Sequence, residues 1–221
     1  MLHSVRVIVL GSRLQAVRQT RYCGSAFKRR GAIVGNYPQY SGLNQDLFTL
    51  NQCIAAGAKM TIWFIGGPMS RDTYEWSDNN DLVRIAAEVR TMYRELMLIG
   101  HPLAFYSTPV TKTHDNKPLD KPAVPRWFKP LPADLWVQVT GGEAMVGVFK
   151  YPDGTDALFI ANHNAFAPQE MSLKLSHPGP AALLKFDRQT GDWVPLQVRD
   201  GTARFTLDAA RGELLKLETK K

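Results

Sequence analysis

Few residues in this chain combine a reactive type with a loop position. Asp72 and Glu75 stand three apart in "GGPMSRDTYEWSDNN", with Trp76 directly after them. Loop carboxylates can accept or donate protons, so these two are the weak candidates for catalysis, and a solvated loop is the plainer reading. Asn36, Tyr37, Gln39 and Tyr40 crowd a second polar loop, "GNYPQYSG". Loop anchoring is the plainer reading of Tyr37, Tyr40 and Trp76. Other chemistries find no support. His3, His101, His114, His163 and His177 are scattered, with no His-x-x-x-His or Cys-His spacing for zinc. His163, in "ANHNAF", reads as a turn residue. Cys23 and Cys53 follow no metal or redox spacing. No serine occupies a G-x-S-x-G elbow, and the "GG" pairs at 66–67 and 141–142 are turns rather than a phosphate loop. No metal and no cofactor are expected.

The elements around these loops follow from periodicity. "AIV" at 32–34, flanked by glycines, reads as a short buried strand. A helix is expected from Gly42 to Ala56. Leu43, Leu47, Leu50 and Ile54 recur along one face, Ser41 can cap the start and Gly57 can end it in a left-handed conformation. Cys53 falls on that apolar face and packs as a small hydrophobe. "KMTIWFI" reads as a strand covered on both sides, as in a parallel sheet, with Trp63 in its core. A second helix is expected over 80–98, with Leu82, Ile85, Val89, Tyr93 and Leu96 on its buried side. "HPLAFYSTPV" supplies one more extended piece. Residues 31–110 thus read as strand, helix, strand, helix, and such linkage implies parallel strands.

Residues 111–134 change character, with five prolines among charges. Proline neither continues a helix nor donates to a ladder, so this stretch reads as a linker or wrapping arm, pinned by Trp127 and Phe128. From Leu135 eight short apolar runs follow about ten residues apart, several separated by Gly, Asp and Pro turns: "LWVQV", "AMVGVFK", "ALFIANH", "EMSLKL", "ALLKF", "WVPLQV", "ARFTL" and "ELLKLE". That spacing is expected of an antiparallel β-sandwich. Alternation in "EMSLKL" and "ARFTL" predicts one wet and one buried face. Trp136, Trp193 and Phe166 could form an aromatic platform; core or edge packing is the competing reading.

Composition bounds the rest. Of 221 residues 44% are apolar and 21% charged, ordinary values for a globular protein, and no apolar run is long enough to span a membrane. The net charge of +7 hints at nucleic acid, but its distribution argues against that partner. Residues 1–30 hold Arg6, Arg13, Arg18, Arg21, Lys28, Arg29 and Arg30 and no acid, while the remaining 191 residues carry 20 basic and 20 acidic side chains. This leader reads as an organelle transit peptide, a poor secretory signal, or a stretch not native to the fold. The last is preferred, and residues 1–27 are set aside as a basic leader. Neither nucleic acid nor a membrane is expected as a partner.

The order of parts resembles the C-terminal end of glycoside hydrolases built as (β/α)₈ barrels with a trailing β-domain, broadly of the β-galactosidase type. The residues that carry the resemblance are "NQCIAAGAKMTIWFIGG", the long helix before "HPLAFYSTPV", "DALFIANHNAFAPQEMSLKL" and "LLKFDRQTGDWVPL", across about residues 28–219. It implies a fold class of α/β plus all-β. An incomplete barrel fragment of about two βα units (28–110) and a Pro-rich linker (111–134) would precede an antiparallel β-sandwich (135–221). The two strands would be roughly the seventh and eighth of the barrel. Asn36, Tyr37, Tyr40 and Trp76 would face a sugar cleft, since active sites of barrels lie at the C-terminal ends of the strands. Aromatic faces cover the apolar side of a pyranose, and Asn and Glu bond its hydroxyls.

The resemblance also implies what is missing. Glycoside hydrolysis takes two carboxylates. In retaining barrels of this kind they follow the fourth and seventh strands. The fourth strand is absent here, and "GNYPQY" holds no acid; Asp46 lies within a helix. The chain is therefore expected to be a truncated, carbohydrate-related piece without its own catalytic activity. The parent family is often extracellular or periplasmic. A non-catalytic carbohydrate-binding or structural β-sandwich module with a small α/β appendage is the alternative.

Overall fold

A computed structural model of the chain describes residues 35–36, 43–57, 60–61, 87, 90–100, 102–113, 116–125, 128–176 and 181–219. Among these residues the fold is mostly sheet, with two helices and four sheets. No helix of the described residues is long and apolar enough to cross a membrane.

The α/β part contributes β1 (Gly35–Asn36), α1 (Leu43–Ala55), β2 (Met60–Thr61) and α2 (Tyr93–Leu98). The pair β1–β2 is parallel, Gly35 beside Met60 and Asn36 beside Thr61. The helix α1 lies within the expected 42–56. Leu47, Leu50, Cys53 and Ile54 are buried in a common cluster, and Gly57 turns the chain with a φ of 99°. A β-carbon resists that left-handed region, which is why glycine ends helices.

The buried side of α2 differs from expectation. Tyr93 is 53% exposed, whereas Met92, Leu96 and Ile99 are buried. Spacings of four and three join these residues as well as they join Val89, Tyr93 and Leu96. The segment carries two apolar stripes one position apart, and packing selects the stripe through Met92. Leu82, Ile85 and Val89 lie outside the described residues, as do Ala32–Val34, Ser41, Trp63 and residues 1–27.

The remaining strands are β3 (Ala104–Ser107), β4 (Val110–Lys112), β5 (Pro118–Ala123), β6 (Lys129–Pro130), β7 (Val137–Gly141), β8 (Ala144–Lys150), β9 (Asp156–Asn162), β10 (Gln169–Leu175), β11 (Ala181–Phe186), β12 (Trp193–Pro195), β13 (Val198–Arg199), β14 (Thr202–Leu207) and β15 (Gly212–Thr219). Every apolar run from Leu135 yields a strand, "WVPLQV" being split into β12 and β13. A seven-stranded sheet has the order β12-β11-β15-β9-β8-β3-β6, and a four-stranded sheet the order β13-β14-β10-β7.

The large sheet also recruits chain upstream of Leu135. β3 pairs antiparallel with β8, and β6 pairs parallel with β3. The Pro-rich stretch is not ladder-free: β4 and β5 form a ribbon of their own. Pro118 and Pro122 are accommodated there because each strand of a two-stranded ribbon has an edge where no N–H is required. Phe128 pins the stretch as expected, buried and edge-on to Phe105 at 6.0 Å between centroids; Trp127 lies outside the described residues.

The central strands of the large sheet bury both faces, and period two divides their side chains. Met145, Phe149, Ala157, Phe159 and Leu214 pack with Leu47, Leu50, Ile54 and Leu96 of the helices. Val146, Val148, Leu158, Ile160 and Leu215 pack with Val137, Met171, Leu173, Phe205 and Leu207 of the four-stranded sheet. Each large side chain so buried contributes about 1.5–3 kcal/mol. The helix sits close. A β-carbon on Gly147 would lie 2.2 Å from the carbonyl oxygen of Ala55, so only glycine admits α1 at that height.

Candidate functional site

The parallel pairing of β1 and β2 sends the chain out of both strands at the same edge. Asn36 ends β1 and is the single site residue expected from the sequence whose backbone is described. Tyr37, Tyr40, Asp72, Glu75 and Trp76 lie outside the described residues, as do His3, His101, His114 and His177. The structure therefore brings Asn36 beside Thr61 and leaves the grouping of the others untested.

Around the loop after β9 the structure builds a polar network that sequence reasoning did not single out. Asn162 donates through Nδ2 to the carbonyl oxygens of Ala167, Leu207 and Asp208 at 3.1, 3.1 and 2.9 Å. Its Oδ1 accepts from the Asn164 amide at 2.7 Å and from the Gln169 side chain. Gln169 also ties Glu143, donating to its carbonyl at 3.0 Å and accepting from its amide at 2.8 Å, and Glu143 Oε1 accepts the Thr111 amide at 2.9 Å. From the helix, Asn51 Nδ2 reaches the Ala210 carbonyl at 3.0 Å, and Gln52 Nε2 reaches the Asn162 carbonyl at 3.4 Å. His163 is buried, edge-on to Phe48 at 6.2 Å, with Nε2 3.0 Å from the Lys112 carbonyl. Every member of this network bonds the chain to itself. It locks α1 and the β4–β5 ribbon to one end of the large sheet.

A second cluster gathers charge. Glu213 lies 4.0 Å from both Lys185 Nζ and Arg188 Nη2. Burial pushes its carboxyl above the ordinary range while Arg188 and Lys185 pull it back, and burial likewise lowers the Arg188 guanidinium. A carboxylate pinned between two cations is an ion network at a core edge, a device for position rather than net stability.

Beside the helix face, the Tyr151 hydroxyl donates to Glu95 Oε2 at 2.6 Å. Burial, then the Glu95 hydrogen bond and charge, hold that phenol protonated well above its usual range. Trp193 stands edge-on to Tyr151 and Phe186, with Lys216 Nζ 4.4 Å from its ring centroid. Trp193 therefore packs on the helix-side core and Trp136 on the sheet-side core. Two rings on opposite faces of one sheet cannot make a sugar platform, and Phe166 is left as an isolated exposed ring. Among the described residues no group of three or more His, Cys, Asp or Glu side chains could hold a metal.

Two open concavities are lined by the described residues. One of about 500 Å³ lies between Thr108, Pro109, Pro130, Leu131 and the Val139–Gly142 strand end. The other, of about 530 Å³, is lined by Gln197, Arg199, Asp200, Thr202 and Arg204. The sequence signal for the second was the alternation of "ARFTL", which marks a wet face without saying that cations crowd it.

No family model and no curated protein matches this sequence. Solved structures do resemble it, and those neighbours are glycoside hydrolases. An α-amylase from Geobacillus thermoleovorans, complexed with acarbose, aligns with a TM-score of 0.52 at 10% identity, over 92% of this chain and 43% of that one. An α-amylase from Anoxybacillus aligns with a TM-score of 0.46 at 13% identity, over 90% and 41%. A Paenibacillus polymyxa xyloglucanase with xyloglucan aligns with a TM-score of 0.33 at 13% identity, over 94% and 42%. The chain spans about two fifths of the length of these structures, and the likeness is one of fold.

Proposed function

We propose that the chain is a carbohydrate-related, glycoside-hydrolase-like portion without catalytic activity of its own. In this reading residues 28–110 are part of a β/α barrel wall, 111–134 connect, and 135–221 are a trailing β-sandwich whose large sheet also takes in β3 and β6 from the two preceding stretches. The observation that carries it is the fold likeness to the Geobacillus α-amylase, which runs across 92% of the chain at a TM-score of 0.52. The parallel β1–β2 pair, with α1 between the two strands, supports the barrel-wall reading. An intact parent would hydrolyse glycosidic bonds with paired carboxylates. This portion would shape the cleft through Asn36, Tyr37, Tyr40 and Trp76, with Asp72 and Glu75 as the weak acid candidates.

The purified chain, incubated with a panel of aryl glycosides, is expected to release no aglycone. Its mobility in gels containing neutral glucans or xylans is expected to fall, and Tyr37→Ala with Tyr40→Ala to restore it. Turnover abolished by Asp72→Asn or Glu75→Gln would overturn the claim of inactivity. Unchanged mobility in every polysaccharide would overturn the carbohydrate reading.

A further inference from the structure

We propose that the solvent face of the four-stranded sheet is a binding surface for a carboxylate-bearing polysaccharide, gripped by Arg199, Arg204 and Lys174. The choice of a sugar rests on the reading above; the cationic face does not. Strand register places these side chains together. Arg199 is opposite Thr202, Thr202 opposite Lys174, and Lys174 opposite Gln138, one polar row across all four strands. Arg204 stands opposite Ser172 in the adjoining row. Neighbouring strands lie about 4.8 Å apart and alternate residues along a strand about 7 Å apart, so the three cations occupy one patch.

All three are exposed, and among the described residues Lys174 and Arg204 make no ion pair or side-chain hydrogen bond. Arg199 Nη2 donates to the Gln197 amide oxygen at 3.4 Å. Of the nearby acids, Glu170 accepts from Thr206, and Asp200 sits in the turn. No two of these cations are directly opposite in register, so each is free to meet a separate carboxylate of one polyanion.

The patch has a wall. Asp200 and Gly201 form a two-residue hairpin turn with φ of 50° and 70°, and the Leu175 amide donates to the Gly201 carbonyl at 2.8 Å, fixing the turn against β10. The concavity beside it, about 530 Å³, falls in the range of small-ligand sites. Two guanidinium forks suit planar carboxylates, and Thr202, Ser172 and Gln197 can bond sugar hydroxyls, while the Gln138 amide is held by the Pro132 and Leu135 carbonyls. Among the described residues no aromatic side chain lines the concavity, so the stacking that single-stranded nucleic acid uses finds no partner there.

The test is affinity electrophoresis of the full chain in polygalacturonate, in its methyl ester, in neutral xylan and in dextran sulfate, with a single-stranded oligonucleotide titrated separately. Polygalacturonate is expected to bind at least tenfold more tightly than its ester. Arg199→Gln and Arg204→Gln are each expected to weaken it about tenfold, with the thermal midpoint unmoved. Wild-type affinity in both variants would overturn the proposal. So would equal retention by dextran sulfate, which means charge alone, or tighter binding of the oligonucleotide. Retention by xylan unaffected by either substitution would sink this surface while leaving the carbohydrate reading intact. Failure in every polysaccharide would sink both.

Discussion

The seven-stranded sheet is covered in two different ways. One face meets a four-stranded sheet through an apolar cluster, with Asn162 buried at its end and bonded to the Leu207 carbonyl. The other meets two helices through an apolar layer with Thr49, Asn51 and Gln52 buried at its margin. The sheet-on-sheet face is set mainly by the pleat and period two, with the Asn162 amide as a tie at its end. The helix face needs specific devices: a glycine where α1 comes nearest, and side-chain amides that reach carbonyls of the sheet's loops. The difference teaches that the helices are not an appendage. Phe149, Phe159 and Leu214 would be bare without them, an apolar patch of the kind monomeric proteins avoid. The central claim is that helices and sheets form a single folded unit.

The largest effect should come from the strand whose neighbours point opposite ways. Phe159→Ala opens the helix face and Leu158→Ala the sheet face; losses of about 4 and about 3 kcal/mol are expected in urea titrations. A loss under about 1 kcal/mol for Phe159→Ala would mean that the helices do not cover that face.

Gly147→Ala sharpens the contrast, because its new methyl meets the Ala55 carbonyl oxygen and the fully buried Phe149 ring. A loss of about 2–3 kcal/mol is expected by the same titration. Neutrality would place α1 farther from β8.

Asn51→Ala removes the tie from helix to Ala210 and should cost about 1–2 kcal/mol. An unchanged urea midpoint would make that bond incidental.

The smallest effect at neutral pH is that of Tyr151→Phe, about 1 kcal/mol from the lost bond to Glu95. Its sharper readout is alkaline. A phenol raised in the folded state keeps its proton after the unfolded chain has lost its own, so stability declines as pH rises past 10.0. Thermal melts of the parent should show that decline and those of the variant a weaker one. Parallel curves would contradict the burial of Tyr151.

Local patterns in the sequence reached as far as local physics does. Apolar runs and turn residues located the strands from Leu135, and the Leu47–Leu50–Ile54 stripe located α1, because both signals are contained within ten or so residues. Sheet membership is not local. Nothing in "LAFYS" says that β3 pairs with β8 rather than standing in the α/β part, and Trp136 and Trp193 look alike in sequence although they serve opposite faces. On α2 Leu96 is buried as expected while Tyr93 is not, because Met92, one position away, offers an apolar side chain at the same spacing. Of the candidate site only Asn36 can be compared, at the level of its backbone. The cationic face was legible as wet but not as charged, because register across four strands assembles Arg199, Lys174 and Arg204 from distant segments.

Native-state hydrogen exchange on the full chain tests the central claim most directly, by comparing amides of α1, residues 47–55, with those of β8 and β9. A single folded unit predicts that both sets exchange through the same global opening, with free energies within about 1 kcal/mol. Amides of α1 exchanging through openings several kcal/mol cheaper, while β8 and β9 stay protected, would contradict it and make the helices a separable attachment.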